Sequence, residues 1–317
     1  MRPSPLLLLT LLACTPPGPD DSTPPEGDSD VDTDTDGDTD GDADGDTDAD
    51  TDADGDADCV DYSDIVADCL ELVVEVDGGG AYYSGISASS SSLDDDLHRL
   101  IDDHTSVSYD DLWEVFEYTD RRADGMVWDP YSDVPGGTPP YTFRFDDKCG
   151  QYAQEGDCYN REHTWPSSWF NDLAPMRSDL HQLYPTDGYV NSIRGSFPYG
   201  PVDVPSYTSL NGSLRGTSAL CDYPWRVFEP IDGYKGDLAR AQLYMSVRYR
   251  GEDSGWSSSE ATDRSTLEPW YATTLLAWHL LDPVDAKEIA RNDAIQDIQG
   301  NRNPFVDHPE YACYLWP

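Results

Sequence analysis

Glutamate followed directly by histidine marks the most informative segment of this chain, NREHTWPSSWF at residues 160–170. Glu162 offers the hard oxygen atoms that divalent cations such as Mg²⁺ prefer, and His163 carries an imidazole that titrates near neutral pH. Such a pair can hold a cation and take a proton from water. A salt bridge from Glu162 to an arginine such as Arg161, and a hydrogen-bonded core position for His163, are the structural alternatives.

A second polar segment, SDLHQLYPTDGYVNSIRG at residues 178–195, follows closely enough to share a supersecondary unit with the first. Its Pro-Thr pair predicts a helix start with Thr186 as N-cap, and its last glycine predicts the helix stop. Asp187, Asn191 and Arg194 then fall on one helix face. An amide can join a carboxylate in binding a cation, and an arginine can bind phosphate, so the two segments together predict a phosphodiester-cleaving site.

Each of these three residues also has a structural alternative. Asn191 can cap or form a turn, Asp187 can be a first-turn charge, and Arg194 can serve surface solubility.

The surrounding sequence predicts short strands with helices around them, which is typical of the α+β class. Apolar side chains at helical spacing predict helices over residues 93–101, 109–118, 237–249, 269–281 and 285–298, the last one ending at Gly300. Short apolar or alternating runs predict strands over residues 70–76, 126–131 and 141–145.

The formal net charge is −44, which opposes tight non-specific binding of nucleic acid by the chain as a whole. The charge is unevenly spread. Residues 1–58 carry 19 acidic side chains and one basic, and residues 59–317 carry 44 and 18. Residues 144–250, which contain both polar segments, carry 13 acidic and 11 basic side chains. The local field of this near-neutral segment can still attract phosphate.

The N-terminus, MRPSPLLLLTLLAC, predicts a lipoprotein signal peptide over residues 1–14 with Cys14 lipidated, and an ordinary signal peptide is the alternative. Both predict an extracytoplasmic protein. Residues 15–58 are aspartate-rich, cannot bury a core and predict a disordered linker. Weak binding of calcium there is favoured over structural sites, because the glutamate of an EF-hand loop is absent.

Seven cysteines fit an exported protein. If Cys14 takes lipid, an even number remains, which favours disulfides, although six cysteines allow about fifteen pairings. Sequence proximity favours two short loops and one long-range bridge, namely Cys59–Cys69, Cys149–Cys158 and Cys221–Cys313.

Several segments in the same order resemble the bacterial endonuclease I family, secreted or periplasmic nucleases of the ββα-metal (His-Me finger) type. The resemblance covers about residues 80–315. It implies a ββα-metal core embedded in a largely helical single domain, residues 59–317, and a monomer. The matching segments are YDDLWEVFEYTD (109–120), NREHTWP (160–166), SDLHQLYPTDGYVNSIRG (178–195), KGDLARAQLYMSVRY (235–249) and IQGNRNPFVDHPEY (298–311).

The resemblance implies that His163 is the general base and that Glu162 and Asn191 bind one Mg²⁺, with Ca²⁺ or Mn²⁺ as alternatives. A bound ion of this kind polarises the phosphoryl oxygen and stabilises the leaving 3′ oxygen. Two protein ligands leave about four octahedral positions for water and phosphate oxygens, which suits Mg²⁺.

For the phosphate contact the resemblance leaves two candidates, Arg177 and Arg194. His181 matches a family position and is interpreted as a structural residue or as support behind the site. Asp187 is a candidate for the same supporting role.

We therefore expect an extracytoplasmic endonuclease that hydrolyses DNA, with RNA as a second candidate substrate. It should show little sequence preference and leave 5′-phosphate ends. The alternative is a non-catalytic acidic surface lipoprotein that binds calcium or a matrix component. A phosphodiesterase acting on small nucleotides or lipids is a further alternative.

Overall fold

Helices surround three small antiparallel sheets in the computed structural model of the protein, which describes residues 59–76 and 78–317. Separate helices and small antiparallel sheets define the α+β class, so the predicted class is confirmed. The predicted signal peptide, the predicted lipidation of Cys14 and the predicted linker over residues 15–58 all lie outside the described residues.

The helices of the described residues are, in chain order, α1 (Ser63–Ala67), α2 (Cys69–Leu72), α3 (Leu93–Ile101), α4 (Leu112–Thr119), α5 (Gly188–Arg194), α6 (Lys235–Arg248), α7 (Pro269–Leu281), α8 (Ala286–Gln299), α9 (Pro304–Asp307) and α10 (Glu310–Leu315). The strands are β1 (Tyr159–His163), β2 (Leu183–Asp187), β3 (Val202–Thr208), β4 (Leu214–Ser218), β5 (Arg226–Glu229), β6 (Thr262–Asp263) and β7 (Thr266–Leu267). They pair as β1–β2, β3–β4–β5 and β6–β7.

Helices α3, α6 and α7 build the main hydrophobic core. Each helix contributes fully buried apolar side chains, among them Leu97, Leu243 and Trp278. Most residues of α6 and α7 are buried, as expected of helices that are covered by neighbouring elements on more than one face. All five predicted helices are present within one or two residues at most ends.

Helix α8 has the ends that its sequence predicts. The Asp285 side chain accepts hydrogen bonds from the backbone N–H groups of Lys287 and Glu288, and Gly300 ends the helix in the left-handed conformation at φ 87°. Buried Arg240 of α6 donates to Glu288 of α8 over 2.8 Å, which joins the two helices.

The unit most relevant to the polar segments is the β1–β2 hairpin followed directly by α5. Its antiparallel register runs from Tyr159↔Asp187 to His163↔Leu183. The predicted N-cap was wrong, because β2 continues past Thr186 to Asp187 and the helix begins only at Gly188. Asp187 is the N-cap instead, and its carboxylate accepts from the backbone N–H of Val190 over 2.8 Å.

The three predicted strands are absent. Over residues 70–76 the chain forms α2 and an extended tail, and Leu70, Leu72 and Val74 are exposed because no second strand covers them. A backbone hydrogen bond from Val127 N–H to the Phe143 carbonyl joins the other two segments at 2.9 Å. No ladder extends from it within the described residues, so each segment remains irregular.

Three disulfides are formed, and two of the predicted pairings were wrong. Cys149–Cys158 is present, whereas the other pairs are Cys59–Cys221 and Cys69–Cys313. These two bridges span 162 and 244 residues of sequence. The prediction failed because the fold brings the first two cysteines of the domain next to Cys221 and Cys313, and proximity in sequence carries no information about these contacts. None of the described helices is long and apolar enough to cross a membrane.

Candidate active site

Glu162 and His163 lie on opposite sides of β1. Both residues keep regular ladder pairing, Glu162 with Tyr184 and His163 with Leu183, so the strand has no bend between them. Alternation along a strand therefore separates the two side chains. Each side chain has its own set of contacts, and a single ligand can meet both only where the strand ends after His163.

The Glu162 carboxylate is buried, with 2% of the residue exposed. Its Oε1 accepts a hydrogen bond from the Tyr131 hydroxyl at 2.9 Å and lies 3.2 Å from Arg194 Nη1. Burial raises the pKa of Glu162 to about 7, while Arg194 and the Tyr131 hydrogen bond act in the opposite direction. Its second oxygen, Oε2, accepts no hydrogen bond from any described residue.

Arg194 is a buried structural residue with 1% of its side chain exposed. Nη1 donates to the His163 carbonyl at 2.8 Å, and Nη2 donates to the Thr164 carbonyl. The guanidinium also lies 4.6 Å from the ring centroid of Tyr199. Arg194 therefore fixes the backbone at the end of β1 and pairs with Glu162. The structural alternative for Glu162 was a salt bridge to an arginine such as Arg161, and Glu162 forms such a bridge with Arg194.

Arg161 and Arg177 lie on the His163 side of β1, around the ring of Tyr109. Arg161 donates to the Tyr109 carbonyl at 2.7 Å, and its guanidinium lies 3.6 Å from that ring centroid. The Arg177 guanidinium lies 4.1 Å from the same centroid, and the residue is exposed. A solvent-facing cation therefore lies next to His163, where it can reach an anionic ligand.

The His163 imidazole has one nitrogen engaged. Nε2 lies 3.0 Å from the carbonyl oxygen of Arg177. A carbonyl can only accept, so Nε2 carries the proton and Nδ1 carries the lone pair. The ring stacks against Tyr109 with centroids 6.0 Å apart and packs against Phe170 at 5.8 Å.

The pKa of His163 is lowered to about 4. Burial is the main cause, and the nearby Arg177 and Arg161 cations add to it. The hydrogen bond to the Arg177 carbonyl and the charge of Asp172 oppose it. The imidazole is therefore neutral at physiological pH.

Asn191 ties α5 to β1. Its Nδ2 donates to the Arg161 carbonyl at 3.2 Å, which leaves the amide oxygen Oδ1 as the free acceptor. Within residues 59–76 and 78–317, Oδ1 accepts no hydrogen bond. Asn191 and Glu162 thus each retain one oxygen without a protein partner, Asn191 from α5 and Glu162 from β1.

Two such oxygens form a hard donor set that fits an ion such as Mg²⁺, since this ion keeps several of its waters and needs few protein ligands. No group of three or more His, Cys, Asp or Glu side chains in the described part of the chain could hold a metal ion by itself. Metal binding would therefore depend on one carboxylate and one amide, with the other coordination positions left for water and substrate.

His181 and Asp187 have structural contacts. The His181 ring is buried against Tyr244 with centroids 4.6 Å apart, and its Nε2 lies 3.3 Å from the Asn301 carbonyl. Besides capping α5, the Asp187 carboxylate accepts from the Gly156 N–H at 2.7 Å. Asp187 thus orients the helix that carries Asn191.

Two residues of the site were not found by sequence reasoning. Tyr131 donates to Glu162, and Tyr109 lies among His163, Arg161 and Arg177. Tyr109 begins the segment YDDLWEVFEYTD, which was interpreted only as helix and as part of the resemblance. No local sequence pattern places either tyrosine at the site, because each lies in a loop that is distant in sequence from β1.

Comparison with known proteins places this geometry in context. The model of the family described as Endonuclease I matches residues 89–310. An extracellular ribonuclease of Bacillus subtilis (strain 168) is 36% identical over 248 residues, which cover 74% of this chain and 78% of that protein. An extracellular deoxyribonuclease of Aeromonas hydrophila is 27% identical over 188 residues, covering 59% and 68%. A periplasmic deoxyribonuclease of the same organism is 28% identical over 200 residues, covering 62% and 70%.

Proposed function

Since this chain belongs to the endonuclease I family and is a hydrolase acting as an endonuclease, we propose that it is a metal-dependent enzyme that hydrolyses phosphodiester bonds of DNA and RNA outside the cytoplasm. The hairpin of β1 and β2 with α5 is then its ββα-metal core. The observation that carries this proposal is the hydrogen bond of His163 Nε2 to the Arg177 carbonyl.

That hydrogen bond gives His163 the form that a general base needs. With Nε2 held as a donor at 3.0 Å, the lone pair on Nδ1 is available to take a proton from a water molecule. Stacking of the ring against Tyr109 restricts its rotation. A positioned base of this kind typically contributes ~10²–10⁴-fold in rate.

Glu162 and Asn191 would hold the ion through Oε2 and Oδ1. A bound Mg²⁺ would supply Lewis-acid stabilisation of negative charge on the phosphate. The protein keeps these two oxygens available by using the other polar atoms of both side chains: Oε1 faces Tyr131 and Arg194, and Nδ2 donates to the Arg161 carbonyl.

Arg177 is our candidate for the phosphate contact, and Arg194 is not, because Arg194 is buried and already bonded to backbone carbonyls. The scissile phosphate would lie over the end of β1, where the His163 side and the Glu162 side of the strand meet. With the 3′ oxygen as leaving group, as the family resemblance implies, attack by water would leave 5′-phosphate and 3′-hydroxyl ends.

Both kinds of nucleic acid are candidate substrates. The named relatives include an extracellular ribonuclease and extracellular and periplasmic deoxyribonucleases. Contacts through phosphate groups carry no sequence information, so cleavage should show little sequence preference and should weaken as salt increases.

A plasmid-nicking assay on purified protein tests the proposal, with EDTA, Mg²⁺ and Ca²⁺ in separate reactions. We expect nicking with Mg²⁺, none with EDTA, and at least a hundredfold loss for His163→Ala, about the lower range of a missing general base. His98→Ala is the matched control, since His98 Nδ1 also bonds a backbone carbonyl, that of Val247, at 2.9 Å. Nicking by His163→Ala at the wild-type rate would exclude His163 as the base.

The non-catalytic alternative is tested with the same preparation. Deletion of residues 20–58 should leave nicking unchanged if those residues are only a spacer. If the protein is instead an acidic binding lipoprotein, the deletion should abolish binding of calcium or matrix while His163→Ala has no effect. Turnover of a small chromogenic phosphodiester in place of plasmid would favour the small-substrate alternative.

A further inference from the structure

An exposed aromatic groove lies beside the proposed active site and has no role in the chemistry described above. Trp225 is 62% exposed, which is unusual for so large an apolar side chain. It lines a groove of ≈ 410 Å³ with Phe197, Thr217, Pro224, Arg226 and Glu260. A second groove of ≈ 350 Å³ adjoins it through Phe197 and Glu260. Both volumes fall within the range of about 300–1,000 Å³ that small-ligand pockets show.

Two segments of the chain connect the groove to the elements that carry the site residues. Its second part is lined by Trp169, in the short helix Ser167–Phe170 that follows His163, and by Ser196, which follows Arg194 after one glycine. The hydroxyl groups of Ser168 and Ser196 lie 3.0 Å apart and join these two segments. One lining segment thus follows β1 and the other follows α5.

Backbone hydrogen bonds anchor the segments that carry exposed Trp225 and half-buried Phe197. The Trp225 carbonyl accepts from the Ser218 N–H of β4 at 2.8 Å, so Trp225 is anchored at the start of β5. On the other side of β5, the Phe228 N–H donates to the Pro198 carbonyl at 2.9 Å, next to Phe197. The platform therefore needs little ordering when a ligand binds.

The groove also combines an aromatic surface with a cation. The Arg226 guanidinium lies 5.3 Å from the ring centroid of Phe197, and Arg226 is exposed. Glu260 contributes the opposite charge, but its Oε2 already accepts a hydrogen bond from the Tyr223 hydroxyl at 2.7 Å. An exposed tryptophan ring and a half-buried phenylalanine ring beside an exposed arginine form a combination that binds bases by stacking and the backbone by charge.

We propose that the Trp225–Phe197 groove binds an unpaired stretch of the substrate strand, with a base stacked on Trp225 and a phosphate at Arg226. This inference rests on the proposed function and names its substrate more closely, as single-stranded nucleic acid. A duplex hides the faces of its bases within the stack, whereas a single strand offers them to an aromatic side chain.

Binding in EDTA tests the groove without any cleavage. Affinities for oligothymidylate, oligouridylate and a hairpin duplex are measured with the wild type, Trp225→Ala and Trp225→Phe. Trp225→Ala should weaken binding of both single strands by about 5- to 100-fold and of the duplex by less than about twofold. Trp225→Phe keeps an aromatic face and should retain most of the affinity. Arg226→Gln should reduce the slope of log affinity against log salt by about one, the value expected for the loss of one phosphate contact.

Tyr118→Ala is the matched control, because Tyr118 is 77% exposed on α4 and does not line the groove. Unchanged single-strand affinity in Trp225→Ala would overturn the proposal, and so would an equal loss for the duplex. The oligothymidylate and oligouridylate arms show whether the groove favours DNA or RNA. If the protein binds through Trp225 but fails to cut with Mg²⁺, the proposed function fails and the groove stands. If the protein cuts with Mg²⁺ but its affinity for single strands does not depend on Trp225, only the groove proposal fails.

Discussion

Arg194 and Glu162 form a buried ion pair with 3.2 Å between Nη1 and Oε1, and the same guanidinium holds the carbonyls of His163 and Thr164. One arginine from α5 thus connects a carboxylate of β1 to the backbone at the end of the same strand. The proposed metal ligand and the proposed base depend on this residue although it reaches neither solvent nor substrate.

Arg194→Met should therefore be a folding defect first. It removes the partner of a buried carboxylate and leaves two carbonyls without their donor, which should cost about 3–5 kcal/mol in the free energy of unfolding. Urea unfolding measures this loss. Arg264→Met is the control, because that arginine side chain is 48% exposed and should cost little. A fully stable Arg194→Met protein with a raised KM would instead return Arg194 to the role of phosphate contact.

Arg177→Ala should impair substrate binding rather than folding. The side chain is exposed, so unfolding should be unchanged, and the backbone carbonyl that holds His163 is still present. Loss of a phosphate contact should raise KM and reduce the slope of log affinity against log salt by about one. Steady-state kinetics at several salt concentrations measure both. Arg99→Ala, a 62% exposed arginine side chain on α3, is the control. An unchanged salt slope would remove Arg177 from the substrate contact.

Mg²⁺ should stabilise the folded protein if Glu162 and Asn191 bind it. Saturation at about 100 times the Kd should add about 2.7 kcal/mol, seen as a higher Tm that EDTA reverses. In Asn191→Leu the shift on adding Mg²⁺ should disappear, whatever the Tm of the metal-free variant. Ser192→Ala, an exposed neighbour on α5, should keep the shift. Equal shifts in wild type and Asn191→Leu would place the ion elsewhere.

His279 should contribute to acid lability. It is buried on α7, its Nε2 donates to the Pro309 carbonyl at 3.0 Å, and burial together with Arg240 lowers its pKa to about 3. The unfolded chain binds a proton near pH 6.5 while the folded one does not. The stability from the neutral imidazole is therefore complete above pH 6.5 and is lost as pH falls toward 3.

His279→Gln removes this titration and keeps a donor for the Pro309 carbonyl. Relative to wild type, the variant should gain up to about 1.4 kcal/mol of unfolding free energy per pH unit between pH 6.5 and 3. Urea unfolding at several pH values measures the difference, in which the other titrating groups cancel. If the free energy of unfolding depends on pH in the same way for both proteins, His279 is not responsible for this loss of stability in acid.

Elements whose signal is local were predicted well. Helices α6, α7 and α8 each have a continuous apolar pattern and terminal residues that act within one turn, such as Asp285 and Gly300. The short strands were predicted poorly, since an apolar run such as residues 70–76 forms a strand only if another strand pairs with it. The Thr186 N-cap failed for a related reason: pairing with β1 extends β2 through Thr186 to Asp187, so the helix begins only at Gly188 and Asp187 is its N-cap.

The sequence by itself determined the class of the fold, the positions of the long helices and the residue types of the candidate site, because these depend on neighbours within a few positions. Tertiary structure alone decided that Arg194 is buried and Arg177 exposed, that Tyr109 and Tyr131 join the site, and that Cys69 pairs with Cys313. These contacts join residues up to 244 positions apart. Whether an arginine is buried or exposed depends on how the whole chain packs around it, and no local pattern encodes that packing.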